Sequence, residues 1–212
     1  MTQRTTGLYR LGQLPRLYAA FQNFLGGERT KREIVSCYLR PHVGDRILDI
    51  GCGSASLRST LGDVVYTGIG LNAKHIAAAR EKHGEAGTFL CGDFQSLEGK
   101  IDGPFDLVMC IGVLHHLSDE QVQTLGRIVA ERLAKLGRLV TIDPTFVERQ
   151  NPIAHWLARS DSGRNVRTPS AYETLVRGAF DAVKVDLRHD LLRVPYTLHH
   201  HGPAKLTSRV RM

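Results

Sequence analysis

Apolar residues recur at three- and four-residue steps through the first part of the chain: Leu8, Leu11, Leu14, Leu17, Phe21, Phe24 and Leu25. This spacing predicts helix in two segments, with Pro15 opening one of them. Gly26-Gly27 breaks the pattern, a further helix is expected from about Glu28 to Leu39, and Pro41 and Gly44 end it. From there the period changes. Short β-like runs at 46–50, 64–69, 88–91, 105–111 and 138–142 alternate with helical segments near 54–61, 73–83, 94–98 and 119–135. Strand-length apolar runs separated by helices predict parallel βαβ units and a sheet covered on both faces. After Pro144 the chain reads as irregular to about Thr168, then as a helix over 170–180 with Ser170 at its N-cap. Two last β-like runs, 182–188 and 191–197, have a short connection that predicts an antiparallel pair.

A length of 212 residues (23.5 kDa) gives room for one domain, or one domain with a small cap. With 42% hydrophobic and 23% charged residues the chain is too apolar to be disordered. Its longest apolar runs are strand-length, so no transmembrane helix is expected, and the N-terminus lacks a signal-peptide apolar core, which points to the cytoplasm. Cys37, Cys52, Cys91 and Cys110 form no CxxC pair, so buried free thiols are expected rather than a zinc site or disulfides. The net charge of +7 is uneven: +5 over 1–46, −3 over 47–143 and +5 over 144–212. Basic flanks suit an anionic partner and read equally as a solvated arginine-rich surface. The run His199-His200-His201 is too short to infer a tag, and a metal or acceptor-site role for it is the minority reading.

The sharpest signal is Ile47-Leu48-Asp49-Ile50-Gly51-Cys52-Gly53-Ser54-Ala55-Ser56. A buried strand ends in an acid and enters a Gly-x-Gly turn that opens a helix, where glycines admit a ligand close to the backbone. The dinucleotide fingerprint needs a third glycine where Ser56 stands, which argues against a nicotinamide dehydrogenase. Asp49 would repel a pyrophosphate and attract an ammonium group. Gly-x-Gly alone is common in α/β turns.

These residues resemble motif I of the class I S-adenosylmethionine-dependent methyltransferases, and the resemblance continues in order. Tyr66-Thr67-Gly68-Ile69 resembles the second strand, Phe89-Leu90-Cys91-Gly92-Asp93-Phe94 the third, and 105–117 motif IV with the helix after it. Residues 133–140 resemble the approach to strand five. Together they span about 40–145, and residues 151–198 resemble a bacterial small-molecule subgroup. The resemblance implies a Rossmann-like α/β fold with a seven-stranded mixed sheet of order 3-2-1-4-5-7-6, the last hairpin antiparallel. An N-terminal helical lid at 1–40 would lie over the sheet's C-terminal edge. The methyltransferase domain would fill 41–212, with an acceptor-site insertion at about 144–170. Carried over, Asp49, Gly51, Cys52 and Gly53 face the methionine end of S-adenosylmethionine, Gly70 and Leu71 the ribose and adenine. Asp93 takes the adenine amine with Phe94 beside the ring, and Cys110, Ile111 and Gly112 line the floor. Cys52 and Cys110 read equally as packing residues, and Phe94 as core. Two departures stand out. Gly70 replaces the acid that normally takes the ribose hydroxyls, leaving the weaker amide of Asn72 nearby, and Lys135-Leu136-Gly137 replaces Pro-Gly-Gly.

Methyl transfer to a hydroxyl needs positioning, a dry site and a base. His115 and His116 follow strand four at the ligand-binding edge, and Asp143 ends strand five there, placed to orient a histidine. Helix starts also carry histidine for packing or capping. Tyr9, Tyr18 and Gln22 share one helical face suited to a lid, and Arg164, Arg167, Tyr172, His155 and His189 are candidates for holding a polar or anionic acceptor. The leading function is methyl transfer from S-adenosylmethionine, leaving S-adenosylhomocysteine, to O or N of a small molecule, by a monomer or homodimer without membrane insertion. The alternatives are a fold-retaining binding protein with altered or no catalysis, suggested by Gly70, and a nucleic-acid methyltransferase. The latter is disfavoured because no added RNA-binding module and no Asn/Asp-Pro-Pro-Tyr/Phe motif is present.

Overall fold

The computed structural model describes residues 27–160, 165–191 and 198–203. Seven strands share one sheet: β1 (Arg46–Ile50), β2 (Val65–Gly70), β3 (Thr88–Cys91), β4 (Phe105–Ile111), β5 (Leu133–Pro144), β6 (Val183–Arg188) and β7 (Leu198–Pro203). Their order is β3-β2-β1-β4-β5-β7-β6, as expected. Strands β1 to β5 pair in parallel, and β7 runs antiparallel to both β5 and β6. One expectation is corrected: the partner of β6 lies at 198–203, not at 191–197. Residues 192–197 fall outside the described residues, as do Tyr9, Tyr18, Gln22 and Arg164.

The central strands are continuous apolar runs because both of their faces are covered. Leu48, Ile50, Val108 and Cys110 enter one core cluster with Val122, Leu125 and Tyr172. Ile47, Tyr66, Leu107 and Met109 enter the other. Helix α1 (Gly27–Glu33) continues through wider turns at Ile34–Leu39 and stops at Arg40, whose φ of 42° is left-handed. Ile34, Tyr38 and Leu39 join the cluster of Ile47, Val140 and Ile142. The described part of the expected lid therefore covers a face of the sheet rather than its C-terminal edge. Arg188 fastens it there, donating to Glu33 and to the Tyr38 hydroxyl (2.8 Å).

The remaining helices begin where the sequence supplies a cap. Helix α2 (Ala73–His83) is capped by Asn72, and α3 (Asp119–Arg132) by Ser118 in a reciprocal box with Gln121. Two helices correct the sequence reading. Helix α4 (Pro152–Arg159) occupies the stretch expected to be irregular, and α5 (Pro169–Arg177) is capped by Thr168, not Ser170. Both open with proline after a capping residue, Asn151-Pro152 and Thr168-Pro169, the arrangement a first helical turn favours. The helix expected over 54–61 is a run of turns with one short 3₁₀ segment (Arg58–Thr60), because Ala55 sits at φ 52° and breaks the α-helical path. The segment expected as helix near 94–98 likewise contains turns.

Strand β5 begins five residues before its expected start, and its register against β4 shifts between Phe105 and Leu107. Gly137 makes the approach possible. A Cβ there would stand 2.5 Å from the Phe105 carbonyl oxygen. The glycine retained in Lys135-Leu136-Gly137 is thus the one the backbone packing requires. Among the described residues no helix is long and apolar enough to cross a membrane.

Candidate active site

Asp49, next to the end of β1, lies in the sheet interior and accepts a 2.6 Å hydrogen bond from the Tyr66 hydroxyl of β2. In a parallel pair Asp49 stands opposite Gly68, so the residue two positions earlier on β2 shares its face. Burial raises the Asp49 carboxyl to about 7, against a smaller lowering effect from the Tyr66 bond. Burial also raises the Tyr66 and Cys52 groups.

The turn that follows is shaped by glycine. Gly51 has φ 80°, and a Cβ on it would stand 2.5 Å from Val113 Cγ2. Gly53 and Gly112 also have positive φ. The amides of Gly51 and Cys52 both donate to the Ile69 carbonyl (2.8 and 2.9 Å), locking the turn to β2. No acceptor for the Gly53 and Ser54 amides occurs among the described residues. A buried acid beside bare, unpaired backbone amides can receive an ammonium on one side and a carboxylate on the other, as the methionine end of S-adenosylmethionine requires. At that end the residues fit the cofactor.

Across the turn the picture is mixed. Leu71 is exposed and Asp93 half-buried, open to an adenine, although Asp93 Oδ1 already accepts from the Gln95 amide at 3.0 Å. Phe94 and Cys110 are buried in the core cluster, which favours the packing alternative for both. Asn72 Oδ1 caps α2 by accepting from the Lys74 and His75 amides. Oδ1 is thereby engaged, which leaves Nδ2 of this amide to meet a ribose hydroxyl. Gly70 ends β2 without a positive φ, and a Cβ on it would meet Ile76 Cδ1 at 3.2 Å and Cys52 Sγ at 3.8 Å. The backbone therefore tolerates a side chain, and the obstacle is the movable end of an isoleucine. Gly70→Asp is expected to fold and to tighten S-adenosylhomocysteine binding by roughly 10–100-fold through charge-assisted bonds to the ribose. Calorimetry on both proteins checks this. Equal affinities would mean another group already serves the ribose.

The second half of the site is built from β4, β5 and the turn before α3. His115 sits in a 3₁₀ turn (Leu114–His116) at the end of β4, opened by Gly112 at φ 69°, whose amide donates to the Ile142 carbonyl at 2.7 Å. His115 Nδ1 lies 2.7 Å from Asp143 Oδ1, which also accepts from the His115 amide at 3.2 Å. Both side chains are 5% exposed or less. The backbone amide and the ring thus converge on one carboxylate oxygen. The carboxylate holds the proton on Nδ1 and leaves the lone pair on Nε2. His116 is half-buried, its ring centroid 4.0 Å from that of His115. Of the expected pairings, the structure brings His115 to Asp143.

The acceptor candidates fare differently. Arg167 and Tyr172 are turned inward, the guanidinium 5.5 Å from the Tyr172 ring centroid, so neither is presented to an acceptor. His155 is exposed on α4 with its ring against Phe146, and His189 is exposed next to β6. Sequence reasoning missed Tyr66, because nothing in a run of β-formers marks a tyrosine as the partner of an acid two positions along on the neighbouring strand.

Residues 47–137 match a family model described as a methyltransferase domain. The chain is 30% identical over 146 residues to the ubiquinone biosynthesis O-methyltransferase of Chromobacterium violaceum, a match covering 58% of this chain and 63% of that one. The mitomycin 7-O-methyltransferase MmcR superposes with a TM-score of 0.68 at 18% identity, covering 94% of this chain and 62% of that one. PigF, solved with SAH, does so at 0.63 and 21%, covering 92% and 62%. The chain spans less than two thirds of the length of the curated relatives it matches. A sheet of this order with a motif-I turn defines the class I methyltransferase fold. The chain has that fold, and its residues 47–137 are similar to a methyltransferase domain.

Proposed function

We propose that the chain methylates a hydroxyl oxygen of a small molecule, with His115 as the base and Asp143 as the group that orients it. The observation that carries this reading is the buried 2.7 Å contact between His115 Nδ1 and Asp143 Oδ1. A buried imidazole on a buried carboxylate is costly unless paired, and the pair is matched in charge once the ring takes a proton. S-adenosylmethionine supplies a methyl group already activated on a sulfonium. The chain's part is to place the acceptor, exclude water and remove the hydroxyl proton. Nε2 receives that proton, and Asp143 stabilises the imidazolium that results. An amine acceptor, neutral when it reacts, has less need of such a base, so the pair favours oxygen over nitrogen. The Chromobacterium violaceum relative carries an O-methyltransferase name, in agreement. The basic flanks suit an anionic acceptor.

A second reading is a binding protein that keeps the fold without turnover, favoured by the glycine where the ribose acid belongs. One experiment separates the two. S-adenosylhomocysteine release is followed with a panel of phenols, hydroxy acids and amines, alongside calorimetric binding of S-adenosylhomocysteine. Release that requires a hydroxylated acceptor and His115 supports the first reading. Tight binding with no release on any acceptor supports the second. Release with amines alone removes the hydroxyl assignment.

A further inference from the structure

Arg167 holds an arrangement that methyl transfer itself does not use. A guanidinium has five N–H groups, and here every one has an acceptor. Nε donates to Asp119 Oδ1 at 2.9 Å. Nη1 donates to the carbonyls of Leu114 (3.1 Å) and Asn165 (2.9 Å). Nη2 donates to the Leu117 carbonyl and to Asp119 Oδ1, both at 2.7 Å. Leu114 and Leu117 bracket His115 and His116, so the guanidinium grips the turn that carries them on both sides. The same segment holds the other half of the pair. The Arg167 carbonyl accepts from Thr145 Oγ1 (2.8 Å) and the Phe146 amide (3.2 Å), just beyond Asp143. The Asn165 amide donates to the His115 carbonyl at 3.0 Å.

We infer that Arg167 is a positioning residue: it clamps the 114–117 turn against the end of β5 and thereby sets the His115–Asp143 contact. This rests on the reading of that pair as the base. Two physical points favour a clamp over a surface ion pair or an acceptor-binding arginine. The Asp119 side chain is 64% exposed, where an isolated ion pair contributes little, whereas three of the five bonds go to main-chain carbonyls from a side chain only 10% exposed. With all five donors engaged, none remains for a carboxylate or phosphate on an acceptor. The planar fork also cannot be copied by an ammonium, which offers three donors from a single point.

The test reads the contact directly, without an acceptor. A ring N–H held by a buried carboxylate gives a proton resonance downfield of the amides, assigned to His115 by its loss in His115→Gln. In Arg167→Ala and Arg167→Lys that resonance is expected to vanish or broaden, while circular dichroism stays native and S-adenosylhomocysteine affinity stays within about twofold. Turnover, on whichever acceptor the native protein uses, is expected to fall about 10–100-fold at unchanged KM for S-adenosylmethionine, with no rescue by lysine. Should the alanine variant not fold, the lysine variant, which keeps charge and reach, decides in the same way. An unaltered His115 resonance in a folded Arg167 variant would overturn the inference. If the native protein instead shows no turnover on any acceptor, the proposed activity fails, and the resonance still decides the clamp.

Discussion

Replacing His115 by alanine is expected to lower turnover by about 10²–10⁴-fold, the range a well-placed general base supplies, with S-adenosylhomocysteine affinity unchanged. The separation of the two effects follows from where the groups sit. The residues proposed to meet the cofactor belong to the β1 turn and the end of β2, while His115 is held by Asp143 of β5. Asp143→Asn is expected to come close to the same loss. An amide can donate to Nδ1, which would put the ring proton on Nε2, where the lone pair is needed. It also leaves the imidazolium without a counter-charge. His116→Ala, which removes a ring neighbour but not the carboxylate bond, is expected to cost less. Full activity in both histidine variants would take imidazole out of the mechanism and leave positioning alone.

The second large effect belongs to Asp49 and has a sign that a surface carboxylate would not show. Its carboxyl is raised to about 7 in the fold, chiefly by burial, from an ordinary value of 3.8. The folded chain therefore keeps a proton between pH 4 and 7 that the unfolded chain has released. Stability from this group is full below about pH 4 and is lost as pH rises through 7, by ~4 kcal/mol across that interval. Asp49→Asn is expected to abolish that decline in urea-melt midpoints between pH 4 and 8 and to be more stable than the native chain at pH 8. Cofactor binding moves the opposite way. An ammonium prefers the ionised acid, so native affinity for S-adenosylhomocysteine is expected to rise with pH up to about 7. At pH 8 the asparagine variant should bind roughly 10–100-fold more weakly. Tyr66 and Cys52 lie beside Asp49, and burial holds both of them neutral through this range. A native affinity flat from pH 5.5 to 8 would remove Asp49 from contact with the cofactor's charge.

Much of this architecture is written in local patterns. Alternating strand-length apolar runs and helices place β1 to β5, and the acid-then-glycine turn marks the end proposed for the cofactor. The His115–Asp143 pairing is legible too, since His115 follows β4 and Asp143 lies at the end of the adjacent β5, at one edge. What failed to show was conformational. Ala55 in a left-handed conformation cancels a helix that propensity favours, and no residue type announces it. Helix α4 was signalled by Asn151-Pro152, but its short length left too few turns for periodicity to register. Arg167 read as an acceptor ligand because its residue type suits one. Its five bonds depend on the path of three separate segments, which no single stretch of sequence encodes.

Strand β7 lies between β5 and β6 in space but after both in the chain, and among the described residues β6 pairs with no other strand. During synthesis β1 to β5 can assemble in the order they appear, yet β6 must wait, without ladder bonds, until residues 198–203 arrive to bridge it. Strand β6 also carries Arg188, which fastens α1 to the sheet. The oldest described helix and the newest strand are thus secured in one late event. Pulse-labelled hydrogen exchange during refolding is expected to show β6 amides protected together with those of β7, and after those of β1 and β4. Earlier protection of β6 would mean that its packing against the helices, rather than strand pairing, sets the sequence of assembly.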